Sequence, residues 1–130
     1  MASHMRTELV VDALEMAVWR RRPVTGLVHH SDRGVQYTAI SFGKHLKEAG
    51  IVPSMGRTGT ALDNAMAESF IATLKSELVH RYRFPDREAA RSAIFEYLEG
   101  FYNRRRLHSA LGYKSPVRYE EATMEGVAVA

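Results

Sequence analysis

Between Gly26 and Ser54 the chain passes from a short apolar run, through a stretch long enough for a helix, into a second short apolar run. That order restricts the folds open to it more than any other feature. Gly26 to Asp32 reads as a strand closed by the turn residues Arg33 and Gly34. Thr38 or Ser41 is placed to cap a helix running to about Ala49, with Gly50 as its stop. Ile51 to Ser54 reads as the second strand. Strand, helix, strand at these lengths is a βαβ unit, so its strands are expected to run parallel.

The flanking segments read as helices. From Arg6 to Arg22, Leu9, Val10, Ala13, Leu14, Ala17 and Val18 form an i, i+4 stripe that ends before Pro23. Met55 to Leu62, with Gly56 and Gly59, reads as a flexible stretch. Asp63 is a good N-cap for a third helix from Asn64 to about His80, with Phe70, Leu74 and Leu78 on its buried stripe. Pro85 and Asp86 start a fourth helix, whose Ala90, Ile94, Tyr97, Leu98 and Phe101 face a core. It is expected to end near Asn103, leaving an irregular aromatic and basic tail to Ala130. The class is α/β, with two short parallel strands and about four helices. Two parallel strands make an unusually small sheet, and parallel sheets are normally covered on both faces. The pattern reads as part of a larger fold.

Composition narrows the chemistry. At 130 residues and 45% hydrophobic, the chain suits one packed domain. It has no cysteine, which removes disulfides, thiolate nucleophiles and cysteine-built zinc sites. No apolar run approaches the roughly 20 residues of a membrane span. Met1 to Met5 reads as an expression scar, with the native segment starting near Arg6. The net charge is only +3, from 18 Lys and Arg against 15 Asp and Glu. The cations cluster, however, at Arg20 to Arg22, Arg81 with Arg83, and Arg104 to Arg106. Such clusters suit a phosphate backbone, although cations also favour helix C-termini for electrostatic reasons alone.

Two acids stand out by position. Asp32 closes the first expected strand, and Glu68 lies one turn into the third helix, with residues 33–67 between them. The edge beyond strand ends is where open α/β folds build their sites. Two carboxylates converging there repel unless a cation lies between them, and a divalent, oxygen-loving ion such as Mg²⁺ is the natural partner. The spacing by itself is weak, because 15 acids will produce it by chance. The residues around each acid carry the specificity.

Those residues are His-Ser-Asp-Arg-Gly-Val-Gln-Tyr-Thr at 30–38, Asp-Asn-Ala-Met-Ala-Glu-Ser-Phe-Ile-Ala-Thr-Leu-Lys at 63–75, and Tyr-Asn-Arg-Arg-Arg-Leu-His-Ser-Ala-Leu-Gly-Tyr at 102–113. In this order they closely resemble the integrase-type transposases of bacterial insertion sequences, and more distantly the catalytic core of retroviral integrases. The resemblance implies an RNase H-like fold and a triad of two aspartates and a glutamate that cuts and joins DNA. It makes Asp32 the second acid and Glu68 the third, both ligands of Mg²⁺ or Mn²⁺. It puts His30 beside the site, sharing a strand face with Asp32. Asn64 and Lys75 stack with Glu68 on one helical face, which the resemblance turns toward the DNA end. Arg104, Arg105 and Arg106 are candidate DNA contacts, while the remaining role of residues 102–113 cannot be derived from the sequence.

One member of the triad has no counterpart. The related fold begins with three strands, and the first supplies the first aspartate. Here Glu8, Asp12 and Glu15 all lie on the opening helix. The expectation is therefore a truncated RNase H-like fold, with residues 6–121 as the C-terminal part of a catalytic core and 122–130 as a tail. Metal binding should be weak or absent, and strand cleavage by the chain alone undetectable. An uncovered apolar edge at residues 27–31 should drive self-association as a homodimer or higher oligomer. DNA is the expected partner, as transposon ends and target, at a bacterial cytoplasmic, nucleoid-associated location with no membrane role. Two other classes stay open: a non-catalytic DNA-binding or assembly module, and a zinc hydrolase using His29, His30 and Asp32. Adjacent strand residues point apart, which argues against the zinc site.

Overall fold

The apolar stripe near the start folds as helix α1, Thr7–Arg21. Arg22 ends it in the left-handed region, its N–H returning to the Val18 carbonyl, and Pro23 comes next. The computed structural model describes residues 6–32, 34, 39–54 and 65–129. The chain divides into two compact units, residues 2–73 and 74–130.

In the first unit, β1 (Val28–His30) and β2 (Val52–Ser54) flank α2 (Ile40–Glu48). They pair in parallel, with Val28 opposite Val52 and His30 opposite Ser54, as the strand-helix-strand order predicts. The regular strands are shorter than the apolar runs, although single hydrogen bonds extend the contact on both sides, from the Gly26 N–H to the Gly50 carbonyl and from the Ser31 N–H to the Ser54 carbonyl. Ser41 is not the cap of α2. It lies inside the helix, whose N-cap is Ala39 with no side-chain bond, and Thr38 lies outside the described residues. At the other end Gly50 has φ +68, and a Cβ there would stand 3.1 Å from the Thr25 side chain. Glycine meets both demands at once.

The core of this unit is Leu14, Phe42, Leu46 and Ile51, with Val10, Val11, Val18 and Ala49 packed around it. Phe42 and Leu46 are 1% exposed. All eight come from α1, α2 and the approach to β2. On the strand register, Val28 and Val52 sit side by side, and they remain 45% and 51% exposed. Among the described residues the sheet has two strands, so β1 keeps an open edge.

Helix α3 (Ala65–Leu74) closes the first unit and runs on into a π segment, Lys75–Val79, where the His80 N–H reaches five residues back to the Lys75 carbonyl. In the second unit helix α4, Arg87–Glu96, starts where expected, at Asp86, whose carboxylate caps it by accepting the Ala89 N–H at 2.8 Å. It too widens, into a π segment at Tyr97–Tyr102. The remainder of the chain is not the irregular tail that the composition suggests. A 3₁₀ turn at Ser109–Leu111 leads to a fifth helix, α5, Pro116–Val129. Buried Ser115 accepts the Arg118 N–H and Pro116 opens the first turn, a start signal present in the sequence but masked by the aromatic residues around it. No helix among the described residues is long and apolar enough to cross a membrane.

Candidate functional site

The order of elements brings Asp32 to the C-terminal edge of the sheet. The Ser31 N–H donates to the Ser54 carbonyl at 3.0 Å, continuing the ladder one residue past β1, and the Ser31 side chain is buried. Asp32 is the next residue, exposed, with Oδ1 accepting the Gly34 N–H at 2.8 Å. This local turn steadies the carboxylate, and among the described residues Oδ2 accepts no hydrogen bond.

Alternation along β1 separates the two histidines. His29 faces α2, its ring edge-on to Phe42 at 5.5 Å, and burial holds its pKa below the usual imidazole value. His30 lies on the opposite, exposed side with Val28. The packed histidine is therefore His29, and His30 is the one on the Asp32 side.

Glu68 is exposed on α3, and Lys75, exposed, is the first residue of the π segment after it. Asn64 lies outside the described residues. Among the described residues no hydrogen bond or ion pair joins Asp32 to Glu68, and no three His, Asp or Glu gather into a metal-holding group. Arg104 and Arg105 are exposed in the turn after α4.

Arg106 behaves differently. Its Nη2 donates to Glu77 Oε1 at 2.7 Å, and its Nε donates to both oxygens at 3.0 Å. The Tyr97 hydroxyl donates to Glu77 Oε2 at 2.5 Å. Hydrogen bonding from Arg106 holds the Glu77 carboxyl below its usual range, while burial, then Glu77, push the Tyr97 hydroxyl up to about 12. The guanidinium also lies over the Tyr102 ring, 5.8 Å from its centre, and His108 meets that ring edge-on at 4.9 Å. Burial lowers the His108 pKa, with Arg106 adding to the effect. Much of the 102–113 segment thus fastens the second unit internally. Glu77 is not legible as a functional residue in the sequence, because its partner lies 29 residues away with no periodic signal linking them.

The chain matches two models described as integrase core domain, one over residues 1–61 and one over residues 49–116. It belongs to the integrase core domain family. Among curated relatives, this integrase core chain is 48% identical over 121 residues to the insertion element IS600 uncharacterized 31 kDa protein of Shigella sonnei, covering 93% of the chain and 44% of the relative. It is 44% identical over 121 residues to the transposase for insertion sequence element IS629 of Shigella sonnei, covering 93% and 40%. To the transposase InsF for insertion sequence IS3A of Escherichia coli K12 it is 40% identical over 124 residues, covering 95% and 43%. The integrase core chain therefore spans under half the length of these relatives. A chain of the simian T-cell lymphotropic virus intasome, solved by cryo-EM in complex with PP2A regulatory subunit B56 gamma, shares the fold at TM-score 0.63 and 14% identity, over 82% of this chain and 37% of that one. The likeness fits a truncated RNase H-like fold.

Proposed function

We propose that this integrase core chain is the C-terminal part of a transposase catalytic core, residues 6–121, contributing Asp32 and Glu68 to a divalent-metal site that cleaves and rejoins DNA strands during transposition. The observation that carries the reading is the exposed Asp32 carboxylate, standing one residue past the last interstrand hydrogen bond in a chain of this family. Hard carboxylate oxygens of this kind fit Mg²⁺ or Mn²⁺. When bound, such ions stabilise the attacking and leaving oxygens of an in-line phosphodiester displacement.

The residues of the chain divide the remaining work. The Gly34 N–H holds the Asp32 carboxylate in one orientation, and His30 lines the same side of β1. Lys75, Asn64, Arg104 and Arg105 meet DNA phosphates, where fixed charge and positioning matter more than covalent chemistry. Arg106 pins the segment that presents Arg104 and Arg105. With only two acids supplied, metal is held weakly and the chain alone does not turn over. Copies associate through the half-exposed Val28 and Val52.

The test places Asp32→Asn and Glu68→Gln separately in a complete transposase carrying this segment. Cleavage of a transposon-end oligonucleotide and strand joining should both fall below detection, while the gel shift of the same DNA persists. Cleavage at the unaltered rate by either variant would sink the reading.

A further inference from the structure

Between the turn before α4 and the widened end of that helix, the second unit holds an open groove of about 620 Å³. This is within the ordinary range for a small-molecule site. Four of its ten lining residues carry aromatic rings: Tyr82, Phe84, Tyr97 and Phe101. Tyr97 and Phe101 have centroids 5.7 Å apart with planes tilted by 49°, and the Tyr97 hydroxyl is already taken by Glu77. Tyr82 and Phe101 are large aromatic residues left 62% and 43% exposed. Arg83 and Arg105 also line the groove, both exposed and neither with an ion-pair partner among the described residues. Glu96 is the acid in the lining, and Arg81 and Arg104 flank the two arginines in sequence.

The occupant such a groove fits has flat apolar faces and carries negative charge beside them. An apolar helix of a protein partner would satisfy the rings but waste the unpaired cations. A base inside a duplex has both faces already stacked. An unpaired nucleotide supplies a free π-face for aromatic rings and phosphates for arginines, the pattern common to single-strand binding sites. We propose that this groove takes an unpaired base of a DNA strand, stacked on Tyr82 and Phe101, with Arg83 and Arg105 on the adjoining phosphates. The proposal rests on the reading that the chain acts on DNA.

The experiment measures fluorescence anisotropy of the chain with one duplex in three forms: blunt, with a single-stranded tail of about four nucleotides, and with an abasic tail of equal length. The tail that carries bases should bind roughly tenfold tighter than the abasic tail. Tyr82→Ala, at a position exposed enough to leave folding intact, should remove most of that preference, and Phe101→Ala should do the same. Tyr82→Trp in a Trp19→Phe background should keep the preference, with its fluorescence quenched by the tail. Equal binding of both tails overturns the groove assignment and, where the blunt duplex still binds, leaves the transposase reading standing. Failure to bind any of the three removes both. A Tyr82→Ala chain that shifts its sedimentation instead of its tail preference shows a protein interface and overturns the proposal.

Discussion

Glu77 and Arg106, 29 residues apart in sequence, meet as a carboxylate and a guanidinium joined at 2.7 and 3.0 Å, with side chains 29% and 25% exposed. A pair this far out of water resists loss of one partner more than it rewards the presence of both, because the survivor keeps its desolvation cost. Arg106→Ala and Glu77→Ala should each destabilise the chain by about 1–3 kcal/mol in urea unfolding. Arg106→Lys should recover little, since an ammonium cannot donate from two fixed edges. A double variant no worse than either single would confirm coupling; full additivity would contradict it.

The pH dependence has an acid side and an alkaline side. Glu77 is depressed in the folded chain, so its contribution is complete above the ordinary carboxyl value of 4.5 and disappears as pH falls through the lower folded value. His29 and His108 are also depressed, and they add a loss that begins as pH drops below 6.5, where the unfolded imidazoles take up protons first. Tyr97 works in the opposite direction. Its hydroxyl is raised from 10.0 to about 12, so its stabilisation persists below 10 and is lost as pH climbs toward 12. Thermal melts across pH should slope at both ends. Glu77→Gln should flatten the lower acid limb, and Tyr97→Phe should flatten the alkaline one. A profile unchanged by both variants would refute the assignment.

Phe42 and Leu46 carry the first unit. Both are 1% exposed and lie at the centre of the α1–α2 contact. Truncation to alanine should cost about 3–5 kcal/mol for Phe42 and about 2–5 kcal/mol for Leu46, the range for core cavities. Chemical denaturation gives the comparison, with exposed Met16→Ala as the near-neutral control.

The half-exposed pair Val28 and Val52 makes a prediction about association. Val28→Lys or Val52→Lys puts a charge where two half-exposed valines adjoin. Sedimentation velocity should show the variant chains shifted toward monomer at concentrations where the unaltered chain self-associates. No difference would exclude this face as the contact.

The parallel pair is legible from sequence because two short apolar runs are bounded by glycine, proline and turn residues, and one helix fits between them. The position of Asp32 comes from that order alone, without any knowledge of contacts. Helix ends are harder. The Asp86 cap is visible, but Ser41 resembles a cap while lying inside α2. Ser115 and Pro116 signal α5 from within a stretch whose aromatic and basic composition reads as irregular. The Arg106 guanidinium looks free for DNA because a run of three arginines says nothing about which one folds inward. Its partner, Glu77, emerges only in three dimensions. The two π segments leave no sequence trace, since a single wide turn hardly disturbs an apolar stripe.

Those wide turns are where each helix has a residue to spare. Excising one residue from 75–79 or 97–102 would let the segment close to an ordinary α turn, and the residues beyond would keep roughly their aim, because a wide turn and an ordinary one each complete a single revolution. The same deletion in the α-helical turns before them would rotate everything that follows by about 100°.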